Sequence, residues 1–100
     1  MTYVLHYAPD NASLVVRLAL DQIGVTYKCA LVDRSRNAQR SDAYTALNPN
    51  GLIPTLEADQ GVIFETGAIL LWLTDHHGGL GPAPGGIERG DFFKWLFFVS

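Results

Sequence analysis

Proline has no backbone N–H to give to a sheet ladder, yet Pro54 stands directly before a segment that otherwise reads as a strand. It follows a strong turn signal, Asn48-Pro49-Asn50-Gly51, and leads through Leu52-Ile53-Pro54 into Thr55-Leu56-Glu57-Ala58. A proline that opens a strand belongs where its backbone faces a gap or a ligand. Two readings stay open here. In one, Pro54 only starts an edge strand. In the other, a cis Ile53–Pro54 bond turns the Ile53 N–H and C=O outward, ready to pair with an extended peptide as an added strand.

The segments around this point set the fold class. Tyr3 to Tyr7 reads as a strand that ends in the turn-forming cluster Ala8-Pro9-Asp10-Asn11. From Ser13 to Ile23 the period becomes helical. Val15, Val16, Ala19, Leu20 and Ile23 share one face, Arg17 and Asp21 the other, and Gly24 stops the helix. Residues 25–32 return to strand character, with Tyr27, Cys29 and Leu31 alternating against Lys28. This is a βαβ unit, whose crossover is expected to be right-handed. A polar loop with Arg34, Arg36 and Arg40 leads into a short helix near residues 43–47. Thr55 to Ala58 and residues 62–64 form a hairpin over Asp59-Gln60-Gly61, and Thr66 to His77 is a third helix closed by Gly78-Gly79. The chain is therefore α/β, in the order βαβ, α, ββα.

Composition narrows the function classes. One hundred residues allow a single small core, and 48% hydrophobic against 17% charged residues suits a compact fold. A net charge of −3 provides no basic footprint for nucleic acid or for an anionic membrane. The single cysteine, Cys29, rules out an internal disulfide and any two-cysteine redox pair, and it reads as a small core residue. No leader pattern precedes Tyr3, and no apolar run approaches the ~18 residues of a membrane span. The expected setting is a reducing cytoplasm. His76 and His77 are adjacent on one helix, point different ways, and suit the helix C-terminal dipole better than a shared metal.

Residues 79–86 are rich in glycine and proline and read as a linker between residues 1–78 and a helix over residues 87–100. That helix carries Phe92, Phe93, Trp95, Leu96, Phe97 and Phe98 around Lys94, apolar on nearly every side. It requires either a partner chain or further helices to cover it; the expectation is that it opens a longer all-α domain.

A second chemical feature lies at Phe64-Glu65-Thr66-Gly67-Ala68, where a strand runs straight into a helix. Helix N-terminal N–H groups bind anions, the Thr66 hydroxyl adds a donor, and Glu65 can receive an ammonium group. Together they suit the carboxylate and amine of an amino-acid end. Alone, the same residues are an ordinary helix cap.

Taken together, the element order, the run Asn48-Pro49-Asn50-Gly51-Leu52-Ile53-Pro54-Thr55-Leu56 and the following Glu65-Thr66-Gly67-Ala68-Ile69 resemble the N-terminal domain of the glutathione S-transferase family. The resemblance runs over roughly residues 3–78 and extends through the linker. It implies a thioredoxin-like βαβαββα fold, a cis bond before Pro54, and a bacterial-type cytosolic enzyme that uses glutathione as co-substrate. It implies that the Ile53 backbone pairs with the cysteinyl part of glutathione, while Glu65 and Thr66 hold the γ-glutamyl end. It also implies a basic residue at the glycyl end, for which Arg36 or Arg40 qualifies, with solvated surface as the other reading of both. Homodimerisation, a small electrophilic substrate, and no metal, nucleic acid or membrane complete the expectation.

The reaction needs a glutathione thiolate near neutral pH. Lowering a thiol pKa from ≈ 8.5 by about two units takes roughly 2.7 kcal/mol. A helix N-terminus supplies about 0.3–1 kcal/mol, or about 2 when partly buried, so one hydrogen-bond donor worth about 1.5–3 kcal/mol is also needed. Tyr7-Ala8-Pro9 matches the setting of the family's tyrosine-type members. Asp10 falls where serine-type members keep a hydroxyl and Ala12 where cysteine-type members keep a thiol, so the donors are Tyr7, then Ser13, then Asn11, with Asn11 otherwise a helix cap. This ambiguity keeps a second function open, a catalytically idle binding or scaffold protein on the same fold. A thioredoxin-like reductase is disfavoured, because Asp10-Asn11-Ala12-Ser13 lacks the cysteines it needs. An isomerase or dehalogenase using glutathione as a true cofactor would look the same in this half.

Overall fold

The structure is a computed structural model and describes residues 2–78, 80 and 86–99, with side chains as far as Lys94. Its elements are β1 (Tyr3–Tyr7), α1 (Ser13–Ile23), β2 (Tyr27–Leu31), α2 (Asp42–Thr45), β3 (Thr55–Ala58), β4 (Gly61–Phe64), α3 (Thr66–His77) and α4 (Ile87–Val99). Two short 3-10 turns, Arg34–Arg36 and Ala38–Arg40, fill the stretch between β2 and α2. Most of the expected linker at residues 79–86, and the side chains of residues 95–99, lie outside the described residues.

The four strands form one sheet in the order β2-β1-β3-β4. β1 and β2 are parallel, with Leu5 opposite Cys29, as the α1 crossover requires. β3 is antiparallel to both β1 and β4, with Leu56 opposite Leu5 on one side and Ile63 on the other. This is the thioredoxin-like arrangement. The period-two pattern of β1 divides its side chains between the two faces. Tyr3 and Leu5 enter the core with Val16, Leu20, Leu56, Ile69 and Leu73 from α1, β3 and α3. His6 takes the opposite face, its ring edge-to-face with Tyr44 of α2 at 5.9 Å. Leu5, Leu20, Leu56, Ile69 and Leu73 have no exposed surface, and burial of each side chain contributes about 1.5–3 kcal/mol.

Helix ends follow their local chemistry. Gly24 takes a left-handed φ of 83° and returns its N–H to the Leu20 carbonyl, which stops α1. Ser41 caps α2 by accepting the Tyr44 N–H, so that helix starts at Asp42, one residue before the expected start. At the far end of α3, His76 stacks on Trp72 at 4.6 Å and His77 meets the Tyr3 hydroxyl. Arg89 of α4 is buried, pairs with Asp75 of α3, and places its guanidinium 4.7 Å from the Phe93 ring centre.

Two expectations need correction. Cys29 is exposed instead of buried in the core. Strand alternation alone cannot show that β2 is an edge strand, and α1 packs over β1 and α3, leaving Lys28, Cys29 and Leu31 uncovered. Val15, placed on one helical face with the buried Val16 and Leu20, is 43% exposed, and Leu14 and Leu18 beside it are more so. Val15 and Leu18 instead line an apolar cavity of about 350 Å³ with Leu70, Leu80 and Phe92, where α1, α3 and α4 meet.

Candidate functional site

The β3–β4 hairpin brings the two predicted half-sites together. Thr55 pairs with Phe64, so Pro54 and Glu65, each one step beyond that pair, fall side by side at the end of the sheet. The Ile53–Pro54 peptide bond is cis. Ile53, Pro54, Glu65 and Thr66 line a single cavity of about 210 Å³, joined by Asn48, Leu52 and Gly67.

Glu65 links β4 to α3 with φ 76° and ψ 120°, a conformation that costs a non-glycine residue of order 1–3 kcal/mol. Its side chain makes no capping bond to the helix, and its carbonyl accepts the Ile69 N–H. The first N–H groups of α3 are therefore left for another partner, and the Glu65 carboxylate remains exposed beside them. A helix N-terminus favours an anion, and a carboxylate favours a cation. The cavity is thus chemically matched to a zwitterionic amino-acid end, with a strand-opening backbone next to it.

Arg36 is not at this cavity. Its side chain is 86% exposed and pairs with Asp33 at 3.7 Å within the same turn. Arg40 is better placed. With Gln39, Thr45, Asn50 and Gly51 it lines a neighbouring polar cavity of about 440 Å³ that shares Leu52 with the first. The Gln39 Oε1 is buried without a hydrogen-bond partner among the described residues. Sequence reasoning passed over Gln39, because no periodicity marks a residue in a 3-10 turn.

The three donor candidates have different surroundings. Tyr7 and Ser13 line a third cavity of about 270 Å³, with Pro9, Asp10, Leu14 and Arg17. Ser13 is 2% exposed, and its hydroxyl is committed. It donates to the Ala8 carbonyl at 3.1 Å and accepts the Ala8 N–H at 3.2 Å. Asn11 Oδ1 accepts the Ser13 N–H at 2.8 Å, while Ala12 occupies the cap position itself. That bond orients the carboxamide and leaves its Nδ2 hydrogens without a partner among the described residues. The Tyr7 hydroxyl likewise makes no hydrogen bond among them. Arg34 reaches across from the first 3-10 turn and donates to the Pro9 carbonyl, tying down the loop that carries these donors.

Among the described residues, no group of three or more His, Cys, Asp or Glu side chains gathers to hold a metal ion, and no helix is long and apolar enough to cross a membrane.

The family model described as glutathione S-transferase, N-terminal domain, matches residues 1–75. The chain belongs to the glutathione S-transferase family. Among curated relatives of this transferase-family chain, a maleylacetoacetate isomerase of Rhizobium meliloti (strain 1021) is 34% identical over 83 residues, covering 83% of this chain and 39% of the relative. Glutathione S-transferase 1 of Schizosaccharomyces pombe is 40% identical over 62 residues, covering 59% of this chain and 27% of the relative. Among solved structures, a glutathione transferase homolog from Lodderomyces elongisporus with two GSH per subunit superposes with a TM-score of 0.90. It is 30% identical, and the match covers 98% of this chain and 50% of that one. The chain spans less than half the length of these two curated relatives and half that of the solved neighbour.

Proposed function

We propose that this chain is the glutathione-binding half of a glutathione transferase, with glutathione as co-substrate. The observation that carries this reading is the convergence of Ile53, Pro54, Glu65 and Thr66 on one cavity. In it, Glu65 receives the γ-glutamyl ammonium, Thr66 and the α3 N-terminus receive its carboxylate, and the Ile53 backbone pairs with the cysteinyl part. The glycyl carboxylate goes to the Arg40 side, and Arg36 stays in solvent.

The thiol is then directed toward the β1–α1 loop, where the donor is Tyr7 or Asn11. Ser13 is the weakest of the three, because its hydroxyl is already spent on Ala8. The thiolate attacks the electrophilic carbon of a small substrate, forming the S–C bond as the leaving group departs or as the electron pair moves into an acceptor. The name of the Rhizobium relative favours a second reading, an isomerase in which the thiolate adds, the adduct rotates, and glutathione leaves unchanged. A homodimer in the cytoplasm is part of the same proposal.

The test is glutathione calorimetry across pH 5 to 9 on the intact protein. Binding with proton release, at an apparent thiol pKa well below 8.5, supports an active transferase or isomerase. Binding with an unshifted thiol supports a catalytically idle binding protein. Failure to bind glutathione overturns the assignment.

A further inference from the structure

A buried hydrogen-bond chain grips the segment on both sides of Ile53 and Pro54. The Tyr44 hydroxyl lies 2.6 Å from the Leu52 carbonyl and 2.7 Å from Thr55 Oγ1. A carbonyl only accepts, so the Tyr44 proton goes to Leu52, and Thr55 must donate its own proton to the Tyr44 oxygen. Asn48 Nδ2 carries two hydrogens and reaches the Leu52 carbonyl at 3.0 Å and Thr55 Oγ1 at 3.3 Å. Asn48 Oδ1 accepts the Asn50 N–H at 3.0 Å, which fixes the orientation of the carboxamide. Tyr44, Asn48 and Thr55 are 5%, 1% and 0% exposed, so the bonds to Thr55 Oγ1 are buried, while those to the Leu52 carbonyl and from the Asn50 N–H are part-buried. The set is closed at its outer end too, where the His6 ring packs on Tyr44 and His6 Nε2 sits 2.6 Å from Glu57 Oε2.

We infer that Tyr44, Asn48 and Thr55 form a positioning clamp that holds Leu52 and Thr55 so that the Ile53 backbone between them stays arranged for an extended peptide ligand. Tyr44 and Thr55 act from behind the cavity, which they do not line, while Asn48 forms part of its wall. This rests on the glutathione reading above for the identity of the ligand, but not for the clamp itself. A segment already ordered before binding loses less conformational freedom on association than one the ligand must order. Burial also pushes the Tyr44 phenol up, which favours the protonated form that donates to Leu52.

Tyr44→Phe and Thr55→Val each remove two of these hydrogen bonds while keeping shape, and Thr55→Ser keeps the hydroxyl. Only the share of that loss that loosens Ile53 reaches the Kd, about the worth of one such bond, a change of about three- to tenfold. The expected result is a glutathione Kd raised by about that factor in Tyr44→Phe and Thr55→Val, with KM raised and kcat held. Thr55→Ser should return close to wild type. Hydrogen exchange at the Ile53 amide of the free protein should be faster in the first two variants than in wild type. A purely structural contact would lower the unfolding temperature while leaving Kd and Ile53 exchange unchanged, and that result overturns the clamp. If wild type binds no glutathione, the proposed function fails. Ile53 exchange then decides the clamp alone, faster exchange in Tyr44→Phe upholding it and unchanged exchange rejecting it.

Discussion

The Tyr3 hydroxyl lies 2.6 Å from His77 Nε2, joining the first residue of β1 to the last residue of α3. Tyr3 is 1% exposed, and its phenol is pushed up by burial and then by the charge of Asp59. His77 is held below the ordinary 6.5 by burial and by neighbouring His76. The neutral pair is therefore favoured, with Tyr3 donating to an unprotonated Nε2.

That relationship has a pH signature. A histidine whose folded-state pKa is lowered binds fewer protons folded than unfolded, so its stabilising contribution is present above 6.5 and lost as pH falls through the folded value. Between pH 7 and pH 5 the unfolding temperature of wild type should fall more steeply than that of His77→Gln. Parallel slopes for the two proteins would reject the assignment.

Ser13 should behave as a structural residue. Ser13→Ala strips the Ala8 N–H and C=O of their side-chain partner in a buried position, at a cost of about 1–3 kcal/mol in urea unfolding. The apparent pKa of bound glutathione should stay where it is. Tyr7→Phe and Asn11→Ala are the variants expected to move it, and the one that raises it toward 8.5 identifies the donor.

Glu65 combines backbone strain with an exposed charge at the cavity. Glu65→Gly removes the cost of φ 76° but adds chain entropy to the unfolded state, for a net gain of about 1 kcal/mol in stability. The same variant should lose glutathione binding by tenfold or more, since a charge-assisted bond is worth about 1.5–3 kcal/mol. Thermal melting and calorimetry on one sample read both effects. A variant that is both less stable and equally tight would contradict each half of the argument.

Arg40 and Arg36 should separate in kinetics. Arg40→Ala is expected to raise KM for glutathione by about three- to tenfold. Arg36→Ala, which breaks only an exposed pair with Asp33, should change KM by less than about twofold. Equal effects would place the glycyl end elsewhere.

The order of elements was legible from the chain, because period and punctuation are local. Gly24 stops a helix whether or not anything packs on it, and Pro54 is barred from an internal ladder position by its own ring. The Glu65-Thr66 and Ile53-Pro54 pairs were legible as chemistry for the same reason. Which residues meet was a different matter. Nothing local to Cys29 says that β2 is an edge, and nothing local to Val15 says which side of α1 the other helices leave open. The commitment of the Ser13 hydroxyl to Ala8, the placing of Arg40 beside the site and Arg36 away from it, and the Tyr44–Asn48–Thr55 network all depend on how the turns fold back. Backbone conformational preferences act over a few residues and are written in the sequence. Hydrogen-bond partners and burial are set by which surfaces the packed sheet and helices bring into contact, and only the tertiary structure decides that.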